Sequence, residues 1–197
     1  ICLMIFKNGT ITCTGCKRND DGLIAVKMLF DEIKNKNDII LLAENDKIKI
    51  KEYRTVMMNG NFHIGFLINN DKLFKYLLEH REKYNLFIDY DPETYQGVKI
   101  YYMWNQNQKE KNGVCVCNKK CKYSVKKKKG DGENCCRRIS IAVFSTGKIL
   151  ISGSLSDEQM NDAFNFILKL LRSIYSEIVQ YSILVEEKKC KKGKHID

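Results

Sequence analysis

Two segments of the sequence, residues 3–15 and 141–153, share one pattern of apolar and polar positions. Each has an apolar stretch ending in Phe, two further residues and a Gly, and then an alternating stretch that ends in Thr-Gly or Ser-Gly. Gly supplies the positive φ of a tight turn, so each segment predicts a β-hairpin, and an amphipathic helix follows both. The positions identical in the two copies are Phe6 and Phe144, Gly9 and Gly147, Ile11 and Ile149, and Gly15 and Gly153. A hairpin-plus-helix unit that occurs twice predicts a pseudo-symmetric fold.

After each turn the side chains alternate between two faces of the predicted strand. The first face carries only apolar residues and Cys, and we expect it beneath the helix: Ile11 and Cys13 in one copy, Ile149 and Ile151 in the other. The second face is a mixed surface of small hydroxyls, one Lys and one Leu: Thr10, Thr12 and Thr14, and Lys148, Leu150 and Ser152. Phe6 and Phe144 are expected at the rims of the two hairpins.

The middle of the chain predicts a long strand at 51–64, a short helix at 70–82 and another long strand at 95–103. The second hairpin leads into Ser156-Asp-Glu-Gln159, which has the form of a capping box. Apolar residues then recur at helical spacing over 160–178. Such a stripe favours packing of the helix on the sheet, and a partner-binding surface is the alternative.

The motif Phe-x-x-Gly-Lys-Ile-x-x-Ser-Gly of residues 144–153, followed by an amphipathic helix, resembles the half-repeat of the TATA-box-binding protein family. More specifically, it resembles the divergent members encoded by large DNA viruses. The strand at 95–103 resembles the family's Phe-Pro-Gly strand, and the likeness covers nearly the whole chain except 105–138. It implies an α+β fold, a pseudo-twofold saddle with a curved antiparallel sheet and helices on the convex side.

The resemblance also implies a division of the chain. The parts are the C-terminal portion of a first repeat at 1–45, a second repeat at 46–185 interrupted by a Cys/Lys-rich insertion at 105–138, and a basic tail at 186–197. Ile1 corresponds to a position in the third strand of the first repeat. We therefore expect the first repeat to be incomplete, with its first strand, short helix and second strand missing.

In this family a pair of Phe side chains from each repeat wedges between base steps in the minor groove, and TATA-box-binding protein is itself a standard example of such wedging. The resemblance implies that Phe6 and Phe144 are wedges and that Tyr95 replaces the other Phe of the second repeat. Without the resemblance, the sequence favours the alternative that Phe6 and Phe144 are core residues beneath the hairpins. The resemblance places further DNA contacts at Thr12, Thr14, Thr55, Lys148, Leu150 and Ser152, with Thr55 in place of a family Asn. Minor-groove readout is degenerate, so A·T-rich, deformable DNA is the expected target.

The charge of the chain is concentrated in two places. The formal net charge is +10, of which residues 105–138 contribute +8 and residues 186–197 contribute +2, so the rest is neutral. The insertion contains the run Lys126, Lys127, Lys128 and Lys129. Basic segments attract polyanions through counterion release, which favours a DNA contact by this run, and a solvated loop is the alternative.

Five of the nine cysteines lie in the insertion: Cys115, Cys117, Cys121, Cys135 and Cys136. A Lys-rich loop buries little apolar surface, so a structural zinc held by four thiolates would explain how it becomes ordered. The adjacent Cys135 and Cys136 leave the fourth ligand open. Disulfides and uncoordinated thiols are the alternatives.

The sequence offers no catalytic constellation: the three His residues lack suitable partners, and no phosphate-binding Gly-rich loop occurs. The resemblance implies a general transcription initiation factor that binds duplex DNA and recruits transcription factors and RNA polymerase. The alternative is a protein-interaction or non-specific nucleic-acid-binding module that kept the saddle but lost sequence-specific bending. No apolar run reaches the ~20 residues of a membrane span. The expected location is intracellular, in a viral factory of the host cytoplasm or in the host nucleus, with packaging in the virion left open.

Overall fold

The computed structural model describes residues 1–18, 20–34, 50–117 and 135–181. By compactness the chain divides into two units, Ile1–Val56 and Met57–Asp197. The repeat boundaries at 1–45 and 46–185 stay a prediction, because a compact unit need not coincide with a sequence repeat. The tail at 186–197 lies outside the described residues. No helix in the described part of the chain is both long and apolar enough to cross a membrane.

The first unit contains an antiparallel hairpin and one helix: β1 (Cys2–Ile5), β2 (Ile11–Thr14) and α1 (Asp21–Lys34). Cys13 lies on the side of the hairpin that faces α1, since its Sγ is 3.8 Å from the carbonyl oxygen of Gly22. The carboxylate of Asp21 accepts hydrogen bonds from the backbone N–H groups of Lys17 and Arg18, which fixes the start of the helix. The predicted facing of Cys13 toward the helix is therefore confirmed.

The second unit is larger and is built around a five-stranded antiparallel sheet with the order β3-β7-β6-β5-β4. Its elements are β3 (Met58–His63), α2 (Asn70–Glu79), α3 (Arg81–Tyr84), β4 (Phe87–Asp91), β5 (Tyr95–Trp104), β6 (Arg137–Val143), β7 (Lys148–Ser154), α4 (Asp157–Ser173) and α5 (Tyr175–Ile178). An antiparallel sheet with helices confirms the predicted α+β class. The two strands of the first unit are consistent with an incomplete first repeat.

The hydrophobic core of the second unit lies between one face of this sheet and the helices α2 and α4. Alternate residues of the three central strands are fully buried there, as the period of two in a strand requires. They pack against Leu73 and Leu77 of α2 and against Ala163, Ile167 and Leu171 of α4. The buried strand residues are Val98, Ile100, Tyr102, Trp104, Ile139, Ile141, Val143, Ile149 and Ile151.

The two hairpins close with the same pair of backbone hydrogen bonds. In the first, Phe6 N–H donates to the Thr10 carbonyl and Gly9 N–H to the Phe6 carbonyl, both at 2.9 Å. In the second, Phe144 N–H donates to the Lys148 carbonyl at 3.0 Å and Gly147 N–H to the Phe144 carbonyl at 2.9 Å. Gly9 and Gly147 both have positive φ, +82° and +85°. The repeated turn is confirmed.

The helix after the second hairpin has the predicted capping arrangement. Ser156 Oγ accepts a hydrogen bond from the N–H of Gln159 at 3.3 Å. The Gln159 side chain returns to the N–H of Leu155 at 2.8 Å, one residue before the Ser156 N–H that a standard capping box would use. One backbone N–H before the cap and one in the first turn of α4 therefore gain side-chain acceptors.

Two predicted elements have different bounds in the structure. The strand expected at 51–64 begins only at Met58 and ends at His63, so the placement of Thr55 on it is wrong. The helix expected at 70–82 ends at Glu79, and α3 follows after His80. Arg137 and Arg138, at the end of the predicted insertion, pair with Trp104 and Met103 in the sheet, and the insertion bounds 105–138 stay a prediction.

Candidate nucleic-acid interface

The face of the five-stranded sheet opposite α4 is predominantly polar, and we call it the polar face. The edge strand β3 shows its direction: the Phe62 ring packs on Phe164 of α4 at 4.7 Å, so its neighbours Asn61 and His63 point away from the helix. The polar face consists of Asn59, Asn61, His63, Phe87, Asp89, Lys99, Tyr101, Met103, Arg138, Ser140, Ala142, Lys148, Leu150 and Ser152.

Strand register arranges these residues in rows that run across the sheet. One row carries amide, hydroxyl and aromatic groups: Asn59, Ser152, Ser140, Tyr101 and Phe87. The neighbouring row mixes small apolar and charged groups: Asn61, Leu150, Ala142, Lys99 and Asp89. The predicted residues Lys148, Leu150 and Ser152 thus share one face with residues of four other strands. Whether they contact DNA stays a prediction.

Tyr95 and Phe144 come together beside one end of the polar face. Their ring centroids are 5.7 Å apart and the ring planes are inclined by 59°. Gly97 lies beneath them, since a Cβ at this position would approach Tyr95 Cε1 to 2.9 Å and Phe144 Cε1 to 3.2 Å. The Nζ of Lys99 lies over the Tyr95 ring, 4.5 Å from its centroid, and 3.7 Å from a carboxylate oxygen of Asp89. Two aromatic residues predicted from separate strands therefore form one cluster.

The first unit presents the other predicted contacts on its hairpin. Phe6 is 49% exposed at the turn, so it is not a core residue. Thr12 and Thr14 alternate with Cys13, which faces α1, and so lie on the side of β2 that turns away from the helix. Phe144 is half-buried, and it packs on Tyr95 and Gly97 rather than within the core beneath the helices. These positions favour the surface interpretation of both Phe residues.

Two Asn residues of β3 lie on the polar face although the sequence did not suggest them as contacts. Asn59 and Asn61 are exposed on the polar face and alternate with Gly60 and Phe62, which face α4. The alternation from Met58 to His63 was a readable signal, but the apolar residues before it suggested an earlier strand start. Lys126, Lys127, Lys128 and Lys129 lie outside the described residues.

Basic side chains on the polar face stand at its two ends. Arg138 stacks over Tyr101, with Cζ 5.0 Å from the ring centroid, and Lys148 is exposed at the hairpin. Arg137 belongs to the opposite side of β6, where its Nε donates to the Gly153 carbonyl at 2.9 Å. Burial lowers the pKa of Arg137. Among the described residues, the charges that this face offers to a polyanion are therefore those of Lys99, Arg138 and Lys148.

Three of the predicted thiols converge at the start of β6. The Sγ atoms of Cys115, Cys117 and Cys136 all lie within 4.8 Å of one another. Cys135 is exposed and outside this group, and Cys121 lies outside the described residues. Burial raises the pKa of Cys136 to about 12, while a hydrogen bond from the backbone of Val116 acts in the opposite direction. A set of three thiols this close could hold a soft metal ion.

This sheet, with helices on one side and a polar face edged by aromatic rings on the other, has the fold of a TATA-binding-protein repeat. The solved structure of Methanococcus jannaschii TBP matches the chain with a TM-score of 0.50 and 20% identity, covering 87% of this chain and 71% of that one. The family model described as transcription factor TFIID, or TATA-binding protein, matches residues 73–174, more than half of the sequence. The chain belongs to this family.

Curated relatives agree with that assignment. A TATA-box-binding protein-like protein of Acanthamoeba polyphaga mimivirus is 28% identical over 183 residues, covering 89% of this chain and 44% of the relative. The TATA-box-binding protein of Methanocaldococcus jannaschii is 23% identical over 174 residues, covering 88% and 69%. The chain thus spans less than half of the mimivirus protein. The predicted resemblance to factors of large DNA viruses is confirmed by that relative.

Proposed function

We propose that the polar face binds the minor groove of A·T-rich duplex DNA and that the protein acts as a transcription initiation factor rather than as an enzyme. The observation that carries the proposal is the Tyr95–Phe144 pair at the end of a sheet face lined by small polar groups. Membership of the TATA-binding protein family supports the same activity. The names of the relatives point to TATA-box DNA as the target, and side chains of the polar face and of the hairpins would make the contacts.

The aromatic pair suits insertion between base steps. Phe144 is held by Tyr95 and Gly97 without being part of the core, so its ring can leave one apolar contact for another at small cost. Apolar wedges of this kind unstack a base step and kink the duplex toward the major groove. Tyr95 presents a comparable ring, and its hydroxyl needs a polar partner or water. In the first unit Phe6 would act at the equivalent hairpin.

The rows of the polar face suit contact with A·T base edges. In the minor groove A·T pairs offer only acceptors, whereas G·C pairs add the amino group of guanine. Amide and hydroxyl donors at Asn59, Asn61 and Ser152 can meet those acceptors, and the partly exposed Leu150 can contact the sugars. Thr12 and Thr14 would contribute hydroxyls in the same way from the first unit.

Few cations in the described part of the chain support this surface, so its electrostatic attraction is modest. Lys99 is partly neutralised by Asp89 at 3.7 Å, which leaves Arg138 and Lys148 as the phosphate contacts of the sheet. The run Lys126 to Lys129 would add sequence-independent affinity through counterion release.

Recruitment of transcription factors and RNA polymerase is assigned to the outward side of α4, where Asn161, Asn165 and Lys169 are exposed.

Titration of labelled A·T-rich and G·C-rich duplexes over a salt series tests the proposal. The chain should bind the A·T-rich duplex more tightly at every salt concentration. Binding should also bend this duplex, which brings labels at the two ends of the DNA closer together. Loss of one base-stacking ring costs about 1–3 kcal/mol, so Phe144→Ala should weaken A·T binding about tenfold and reduce the bend.

The matched control is Tyr181→Ala, which removes an exposed aromatic ring that belongs to no strand of the sheet. It should bind and bend DNA like the parent. Equal affinity for both duplexes, driven wholly by salt and unchanged in Phe144→Ala, would instead identify a non-specific or protein-binding module.

A further inference from the structure

The three thiols at the start of β6 have the spacing of ligands around one metal ion. The Sγ atoms of Cys117 and Cys136 are 3.4 Å apart, and Cys115 brings the largest separation in the group to no more than 4.8 Å. Tetrahedral zinc with Zn–S bonds near 2.3 Å places its sulfurs about 3.8 Å apart. A disulfide bond is about 2.05 Å long, far shorter than the distance between Cys117 Sγ and Cys136 Sγ. The group therefore matches a coordination shell better than a disulfide.

The sheet, rather than the insertion itself, holds this group in place. Cys136 directly precedes β6, whose first residue Arg137 pairs with Trp104. On the other side, Met103 N–H donates to the Gly113 carbonyl at 2.9 Å, which brings the segment that carries Cys115 back along the end of β5. The three thiols are consequently held beside the ends of two paired strands.

Residues 105–113 are further fixed through Lys111. Its Nζ donates to the Asn105 carbonyl at 2.7 Å and lies 4.8 Å from the centroid of the Trp104 ring. Trp104 Nε1 in turn donates to Asp162 of α4 at 2.8 Å. The segment that precedes Cys115 is thus fixed both to the sheet and to α4.

Backbone N–H groups point at the sulfurs, as they do where thiolates ligate a metal. Cys136 N–H donates to Cys117 Sγ at 3.3 Å, and the backbone of Val116 hydrogen-bonds to the Cys136 thiol. The side-chain amide of Asn105 lies 4.0 Å from Cys136 Sγ. Such outer hydrogen bonds orient ligands and stabilise their negative charge. A cation between the three sulfurs would offset their mutual repulsion once they are deprotonated.

We propose that Cys115, Cys117 and Cys136 form a structural zinc site that fastens the β5–β6 connection to the end of the sheet. Each ligand loses its proton when the Zn–S bond forms, and the metal stays Zn²⁺ throughout. Three thiolates leave the fourth position of the tetrahedron to a further ligand, and the group formed by the described residues does not include one. Cys135 is not part of the group, and ligation by Cys121 stays a prediction. The site does not depend on DNA binding.

Elemental analysis of the full chain, purified anaerobically without chelator, tests the site. We expect about one zinc per chain, with loss to background in Cys136→Ser. Cys135→Ser is the matched control, because it changes the adjacent exposed thiol and should keep the metal. Cobalt substituted for zinc should give the absorption of tetrahedral thiolate coordination in the parent and in Cys135→Ser.

A measurement on the unmutated chain guards against misfolding of the Cys136 variant. Mercurial titration of the thiols should release about one zinc into a colorimetric chelator, and chelation should lower the melting temperature. Metal-free parent protein, equal metal loss in Cys135→Ser and Cys136→Ser, or a Cys117–Cys136 disulfide found by mass spectrometry would each overturn the proposal. All of these readouts are independent of DNA, so they fail separately from the proposed function.

Discussion

The rings of Tyr95 and Phe144 lie 5.7 Å apart although the two residues belong to different segments, one at the start of β5 and the other just after β6. Register explains the contact, because Val98 pairs with Val143 and so brings both strand ends to one side of the sheet. Gly97 provides the room beneath the rings. The pair is therefore a product of sheet geometry and of one missing side chain.

Gly97→Ala should disturb this pair. The added Cβ would lie 2.9 Å from Tyr95 and 3.2 Å from Phe144, so at least one ring must move. We expect A·T duplex affinity to fall several-fold, by about 1 kcal/mol or more. The control Gly60→Ala also adds a methyl to a strand Gly, but its nearest neighbour is the flexible Met160 side chain at 3.0 Å. Anisotropy titration should show parent affinity in the control, and parent affinity in Gly97→Ala would contradict the assignment.

Asn59→Ala should narrow the difference in affinity between A·T-rich and G·C-rich duplexes. Asn59 lies opposite Ser152 on the polar face and can donate to the acceptors of A·T pairs. Loss of one such hydrogen bond is worth about 1 kcal/mol, a change of several-fold. Asn165→Ala removes an exposed amide from α4 and should leave both affinities unchanged. An equal loss of affinity for both duplexes in Asn59→Ala would mean that Asn59 contacts the DNA backbone and does not distinguish between base pairs.

Asp162 should matter to stability through Trp104. Asp162→Ala leaves the buried indole N–H without its 2.8 Å acceptor, and such a loss costs about 1–3 kcal/mol. Asp162→Asn keeps an acceptor for the indole but removes its negative charge and the attraction to Lys111 Nζ at 4.0 Å, a partly buried pair worth on the order of 1 kcal/mol. Urea denaturation should rank the parent above Asn and Asn above Ala. Equal losses in both variants would assign the effect to charge alone.

Alkaline pH should weaken the fold through Tyr102. Burial, and secondarily the charge of Asp162, raises the pKa of Tyr102 above its ordinary value near 10. The folded state keeps this proton where the unfolded chain loses it, so the stabilisation is complete below pH ~10 and declines as the pH rises further. Tyr102→Phe should show a shallower fall in the free energy of unfolding above pH ~10. The same slope in both proteins would exclude Tyr102 as the source.

Local sequence patterns predicted the turns and the helix cap, because neighbouring residues determine these features. The turns at Gly9 and Gly147 were predictable because a positive φ restricts the residue type, and the cap at Ser156 was predictable from its spacing to Gln159. The start of β3 was not, because Val56 and Met57 are as apolar as a strand residue yet remain exposed. Thr55 was misplaced for that reason.

Long-range pairing decides whether Cys135 or Cys136 lies beside Cys115 and Cys117. Adjacent residues of an extended chain point in opposite directions, so either thiol was acceptable from spacing alone. Pairing of Arg137 with Trp104 sets which side Cys136 faces, and it brings Cys136 to Cys117. The contact of Tyr95 with Phe144 has the same origin, and no local pattern contains that information.

The nearness of Cys117 to Cys136 has a consequence for the length of the chain between β5 and β6. The two ends of the connection lie close together where it leaves β5 and enters β6. The pairing of these two strands therefore does not depend on how many residues lie between them. Closing a longer loop costs little once its ends are fixed, about 0.6 kcal/mol for each doubling. Insertions and deletions between β5 and β6 can therefore occur without a change of strand register. The same connection is a suitable site for inserting a foreign segment by design.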